Sequence, residues 1–152
     1  MDTDRPYVAE NAAERARLRA LASRLSEDDL SHPLYDGWTV AVALAHLAFW
    51  DHRALIFLQR WQRDRGRPAP VDADTVNEAM LPLLRALPPR VAAQLAVDAA
   101  EATDRALEEL DPGLAAELEA AGWGRALRRA IHRREHLDDV ERALGRGGGE
   151  EN

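Results

Sequence analysis

The chain has 152 residues, 20 basic and 27 acidic, with a net charge of −7 at neutral pH. It contains no cysteine, which excludes disulfides, thiolate metal sites and a cysteine nucleophile and fits a reducing compartment. The basic residues, all arginine, are dispersed along the sequence and form no patch with aromatics, so nucleic acid is not an expected partner.

The first twenty residues are charged throughout, unlike a signal or transit peptide. No apolar run is read as reaching the roughly 20 residues that cross a bilayer. A cytoplasmic protein with no membrane partner is expected. Its length fits one domain, placed at residues 1–144 with a flexible tail at 145–152.

In chain order, the first helix is expected over residues 8–24, with Leu18, Leu21 and Leu25 at helical spacing. Residues 26–38 read as a loop marked by Pro33 and Asp36-Gly37. The second helix starts after Thr39 as N-cap and ends near Gly66 and Pro68. A loop over 66–75 leads to a short helical piece at 77–86, and Pro89 suits the first position of the next helix. That third long helix covers 90–110 and stops at Asp111-Pro112-Gly113. A connector with Gly122 and Gly124 leads to the fourth, over 125–144. No stretch alternates like a strand, and four long helices with short connections give an all-α, four-helix bundle.

Five histidines are present: His32, His46, His52, His132 and His136. His132 and His136 are four apart, so on a helix their side chains leave the same face. They flank a stripe of Ala126, Ala130, Leu137, Val140 and Leu144 that should face the core. Arg133 falls inside that stripe without an evident reason. The second helix is apolar nearly all round, which makes it central to the core, and His46 lies on it among Val42, Trp50, Arg53 and Phe57. A lone buried histidine is ordinarily a hydrogen-bonded core residue. Facing an inward pair, it completes three corners of a metal site with a position left open. His52 and His32 are expected at the surface.

Residues 132–136 also spell the H-x-x-E-H pattern of inverted zinc peptidases. That reading is set aside, since those enzymes are expected to need a further glutamate ligand far downstream and a larger body. Glu135 is then a surface carboxylate.

Two stretches, Gly37-Trp38-Thr39-Val40 through Leu44-Ala45-His46-Leu47-Ala48-Phe49-Trp50-Asp51 and His132-Arg-Arg-Glu-His136 through Leu144, resemble the DinB/YfiT-like superfamily. Its members include mycothiol-dependent maleylpyruvate isomerases and bacillithiol transferases. The resemblance implies a DinB-like four-helix bundle binding a divalent metal through one histidine of the second helix and an H-x-x-x-H pair of the fourth. The matching positions are His46, His132 and His136. The mycothiol-dependent isomerases carry glutamate where this chain has His132, so the resemblance is to the broad superfamily.

Imidazole ligands suit zinc, nickel, copper and iron, with zinc or nickel expected. An ion in such a site makes bound water a nucleophile near neutral pH or binds a small thiol as thiolate. The chemistry leaves both open, and the resemblance favours thiol transfer, with a low-molecular-weight thiol as co-substrate, onto a small electrophile. The alternatives are a metal-dependent hydrolase and a non-catalytic, stress-associated bundle whose metal is structural or vestigial. Candidate catalytic residues are Asp139, as a carboxylate orienting an imidazole, and Arg53, as a receiver of a substrate carboxylate. Trp50 is expected to line the binding pocket, while Trp38, Phe57 and Trp61 read as core. Asp51 falls in the apolar arc and needs a buried partner. The apolar excess of the second helix, with the pairing common in the superfamily, gives an expected homodimer.

Overall fold

The computed structural model describes residues 5–145, so all of the expected tail but Gly145 lies outside the described residues. The helices are α1 (Pro6–Arg24), α2 (Glu27–Ser31), α3 (Val40–Asp64), α4 (Ala73–Ala86), α5 (Pro89–Glu109), α6 (Pro112–Ala120) and α7 (Arg129–Ala143). Among the described residues there is no strand, only an isolated bridge between Pro33 and Thr39. The all-helical expectation holds, with seven α-helices among the described residues where four long ones and a short piece were expected.

Two helices arise where the sequence was read as loop. Ser26 and Asp29 form a capping box that opens α2, each side chain taking the other's backbone N–H. Asp111 accepts from the N–H groups of Gly113 and Leu114, with Pro112 at the first position, so a motif read as a stop also starts α6. In the last segment Gly124–Ala126 forms a 3-10 turn, and α7 begins at Arg129 rather than at 125. Thr39 caps α3 as expected, accepting from Val42 N–H at 3.2 Å.

Four long helices pack side by side, and their directions follow from which residues meet. Leu44 and Leu47 of α3 share a cluster with Ala93, Ala96 and Ala100 of α5, while Phe57 and Trp61 share a second cluster with Leu107. Hence α3 and α5 run the same way, and α4 lies on the chain that returns between them. Arg15 of α1 meets Asp104 of α5 and Arg90 meets Ala22, so α1 runs opposite to α5. Glu14 pairs with Arg134 and Arg17 with Asp138, so α7 runs with α1 and against α3.

The two apolar clusters are separated by a polar layer. Asn11, Asp51, Thr103, Asp104 and Arg133 are buried, each falling in sequence between members of one cluster and members of the other. α6 seals the second cluster, with Leu118 wholly buried and its Leu114 carbonyl accepting from Trp61 Nε1 at 3.1 Å.

The expectation about apolar runs needs one correction. α3 is by length and composition alone apolar enough to cross a membrane, yet 67% of that window is buried inside the protein. It packs against α4, α5 and α7, which accounts for its apolarity.

Candidate metal centre

His46 sits on the buried face of α3 at 3% exposure. Across from it, one turn of α7 presents His132 and His136. His46 Nε2 lies 3.0 Å from His132 Nε2, and His136 Nε2 lies 3.1 Å from the same atom. One ligand nitrogen from each ring can be chosen so that all lie within 4.8 Å of one another.

This packing asks for a cation. A neutral imidazole has one N–H, so His132 Nε2 can donate to only one of the two nitrogens it faces. If it is instead the acceptor, its single in-plane lone pair serves only one N–H well, so in every tautomer one of the two contacts lacks a well-directed hydrogen bond. An ion in their midst satisfies all three. Nitrogens about 2.0–2.1 Å from one tetrahedral ion stand about 3.4 Å apart, a few tenths of an ångström from the separations seen. The donor set therefore fits a divalent metal. The three Nδ1 atoms are buried and meet no hydrogen-bond partner among the described residues.

The rings are held neutral. Burial, with the His136 imidazole beside it, lowers His46 to about 3. Burial first, then His136, His46 and the guanidinium groups of Arg129 and Arg125, lowers His132 to about 2. Burial lowers His136 as well, against the pull of Asp139 and Glu135. Only the neutral ring can ligate, and here no proton has to leave at neutral pH.

The short loop before α3 roofs the centre. Asp36 and Gly37 turn with positive φ, and Leu34 N–H bonds to Trp38 carbonyl at 2.9 Å. The turn is tied down by Arg85 of α4, whose Nε and guanidinium nitrogen donate to Gly37 carbonyl at 3.1 and 2.8 Å. This sets Trp38 parallel to the His136 ring at 6.0 Å and 4.7 Å from that of His46.

The histidines form part of the wall of a cavity of about 470 Å³. Its other walls are Tyr35 and Trp38 of the loop, Trp50 of α3, Asn77 of α4, and Arg125, Arg128 and Arg129 before and at the start of α7. Arg128 pairs with Glu119 and Arg129 with Asp51, and Glu135 also lines the cavity, so Arg125 is left as the guanidinium of the wall with no carboxylate paired to it among the described residues.

Trp50 lines this cavity, its Nε1 donating to Asn77 Oδ1 at 2.9 Å. Asp139 bonds to none of the imidazoles; it accepts from Tyr35 hydroxyl at 3.3 Å and from Arg142 at 3.0 Å. Arg53 lies over the Trp50 ring at 5.6 Å and lines a different, apolar groove of about 720 Å³ between α3, α4 and α5. His52 lines that groove too, and His52 and His32 are exposed. Asp51 has its partners, Arg129 Nε at 2.8 Å and Arg133 Nε at 2.9 Å.

Trp38 was read as core and is instead a roof of the site. Its place just before the Thr39 cap, with His46 two turns on, was the available signal. The arginines at 125–129 gave none, because the turn that aims them into the cavity was read as helix.

The family model of the mycothiol maleylpyruvate isomerase N-terminal domain, a DinB-like domain, matches residues 11–140. No curated protein and no solved structure matches the chain significantly.

Proposed function

Since the chain belongs to the family of mycothiol maleylpyruvate isomerase N-terminal domains, we propose that it uses one divalent metal ion, zinc or nickel, to transfer a low-molecular-weight thiol of the mycothiol type onto a small electrophile. The observation that carries this is the convergence of His46, His132 and His136 Nε2 atoms on the wall of a cavity large enough for small ligands. The bound ion would supply Lewis acidity, bringing the thiol proton into a range where it is lost near neutral pH.

The rest is work for the side chains. Three neutral imidazoles add no negative charge, so an anionic sulfur is not repelled. Arg125, unlike the carboxylate-paired Arg128 and Arg129, adds positive potential at the wall, which favours the thiolate over the thiol. Trp38 and Trp50 give flat apolar faces against which a substrate body can lie. The thiol proton passes to water, the sulfur forms its bond to the electrophilic carbon, and a leaving group departs or a strained ring opens.

The cysteine-free, acidic chain fits a cytoplasmic setting. A homodimer is supported by the exposed Phe49, Ile56 and Leu95 around the apolar groove.

The test is elemental analysis of the purified protein, followed by thiol consumption with a chromogenic electrophile and the metal restored. One ion per chain with metal-dependent thiol consumption supports the reading. Metal-dependent ester cleavage without thiol consumption points to a hydrolase. Tightly held metal with neither activity points to a structural site.

A further inference from the structure

α7 supplies two of the three histidines yet brings little apolar surface to the bundle. Its buried residues are Ala130, Arg133, Leu137 and Val140. Apolar contact is non-directional, so these few side chains fix neither the rotation of α7 about its axis nor its height against α3. A slip of one residue would turn the helix by about 100° and carry the histidine pair away from His46.

Arg133 supplies what the apolar contacts lack. It is wholly buried and reaches all three other long helices. Its Nε donates to Asp51 of α3 at 2.9 Å, its two terminal nitrogens fork onto Asp104 of α5 at 2.8 and 2.9 Å, and one of them also meets Asn11 carbonyl of α1 at 3.2 Å. One turn earlier Arg129 takes the other oxygen of Asp51 at 2.8 Å. Two attachments to one carboxylate, a turn apart, fix both rotation and height. Asn11 adds a third, accepting from Ala130 N–H and donating to Leu127 carbonyl, each at 2.8 Å.

These anchors adjoin the ligands on both helices. Arg133 follows His132 directly and precedes His136 by three, and Asp51 lies five residues after His46. We propose that Asp51 and Arg133 are the positioning residues of the metal centre, their buried link holding α7 in the one rotation that brings His132 and His136 onto His46. This rests on reading the three histidines as a metal centre. Planar forks have directional hydrogen bonds, so the link specifies geometry where the sparse apolar contacts of α7 do not.

The experiment compares Asp51→Asn and Arg133→Lys with wild type at a temperature where circular dichroism shows each fully helical. Zinc affinity, read by competition with a chromophoric chelator, should fall about 10–100-fold in both, the range for residues that orient metal ligands. The cobalt-substituted absorption spectrum should change in both. Lysine keeps the charge and loses the fork, so a role of charge alone predicts rescue by Arg133→Lys. Leu118→Ala, in the apolar cluster under α6, should lower the melting temperature and leave affinity and spectrum unchanged. If Asp51→Asn fails to fold, Arg129→Gln removes a single, less buried arm and should give the smaller loss.

Crystal structures of the metal-free variants provide a readout that does not depend on metal. The Nε2 separations should widen by about 1 Å or more beyond the 3.0 and 3.1 Å seen here. Folded Asp51→Asn and Arg133→Lys proteins with wild-type affinity, spectrum and imidazole spacing would overturn the proposal. A wild-type protein that binds no metal would remove the metal reading, and the imidazole spacings would still decide the positioning role.

Discussion

His46 Nε2 and His132 Nε2 face each other at 3.0 Å across two helices that run in opposite directions, 86 positions apart in the chain. With His136 Nε2 against the same atom at 3.1 Å, a single ring nitrogen with one N–H or one lone pair faces two neighbours, and the buried trio is one well-directed hydrogen bond short. The expected behaviour of the protein follows from that shortage and from the ion pairs that enforce it.

Acid should unfold the metal-free protein early. His46 is held at about 3 and His132 at about 2, against about 6.5 in an unfolded chain. Below pH 6.5 the unfolded state therefore takes up protons that the folded state refuses. Their contribution to stability is present above the unfolded value and is lost progressively as pH falls from about 6.5 toward the folded values of about 3 and 2. Between pH 6.5 and 5 these two rings should cost on the order of 3 kcal/mol. Urea midpoints of metal-free protein across this range measure it, and a flat profile would contradict the burial of neutral rings. Excess zinc should raise the midpoint at pH 7, because an ion bound only by the folded state stabilises it.

Arg133→Met should be among the most destabilising single changes outside the apolar clusters. It strands Asp51 and Asp104, both nearly inaccessible, although Arg129 and Arg15 retain one contact to each. Breaking a buried ion pair by removing one partner costs about 3–5 kcal/mol, or roughly 6–20 °C in melting temperature for a chain of this size. Thermal melts against wild type check it; a shift under about 2 °C would show the pairs to be dispensable.

Trp38 should report on the metal. Its ring lies 4.7 Å from that of His46 and 6.0 Å from that of His136, whereas Trp50 is 6.3 Å from His46 and Trp61 belongs to the other cluster. Adding nickel should quench tryptophan fluorescence, and Trp38→Phe should remove most of the change while leaving binding stoichiometry intact. Undiminished quenching in that variant would place the ion elsewhere.

The histidine trio was legible because the signals that specify it are local. Spacing of four puts His132 and His136 on one face, and the apolar surroundings of His46 imply burial. Thr39, Pro89 and Pro112 mark helix starts by chemistry that needs no tertiary context, though the Asp111 cap was taken for a stop alone. Arg133 was illegible for the opposite reason. Its partners, Asp51, Asp104 and Asn11, lie on three other helices, and nothing in the local pattern says that an arginine in an apolar stripe will find two carboxylates there. α2 was missed because the Ser26-Asp29 box is followed by a single turn, too short to show periodicity. The cavity wall at Arg125, Arg128 and Arg129 depends on a 3-10 turn that only packing reveals.

Zinc titration of the metal-free protein by calorimetry tests the central claim most directly. Wild type should bind one ion per chain, with His32→Ala and His52→Ala unchanged. His46→Ala, His132→Ala, His136→Ala and the triple variant should lose stoichiometric binding while keeping nearly all helical content, since the apolar clusters carry the fold. A triple variant that binds zinc as wild type does would contradict the account.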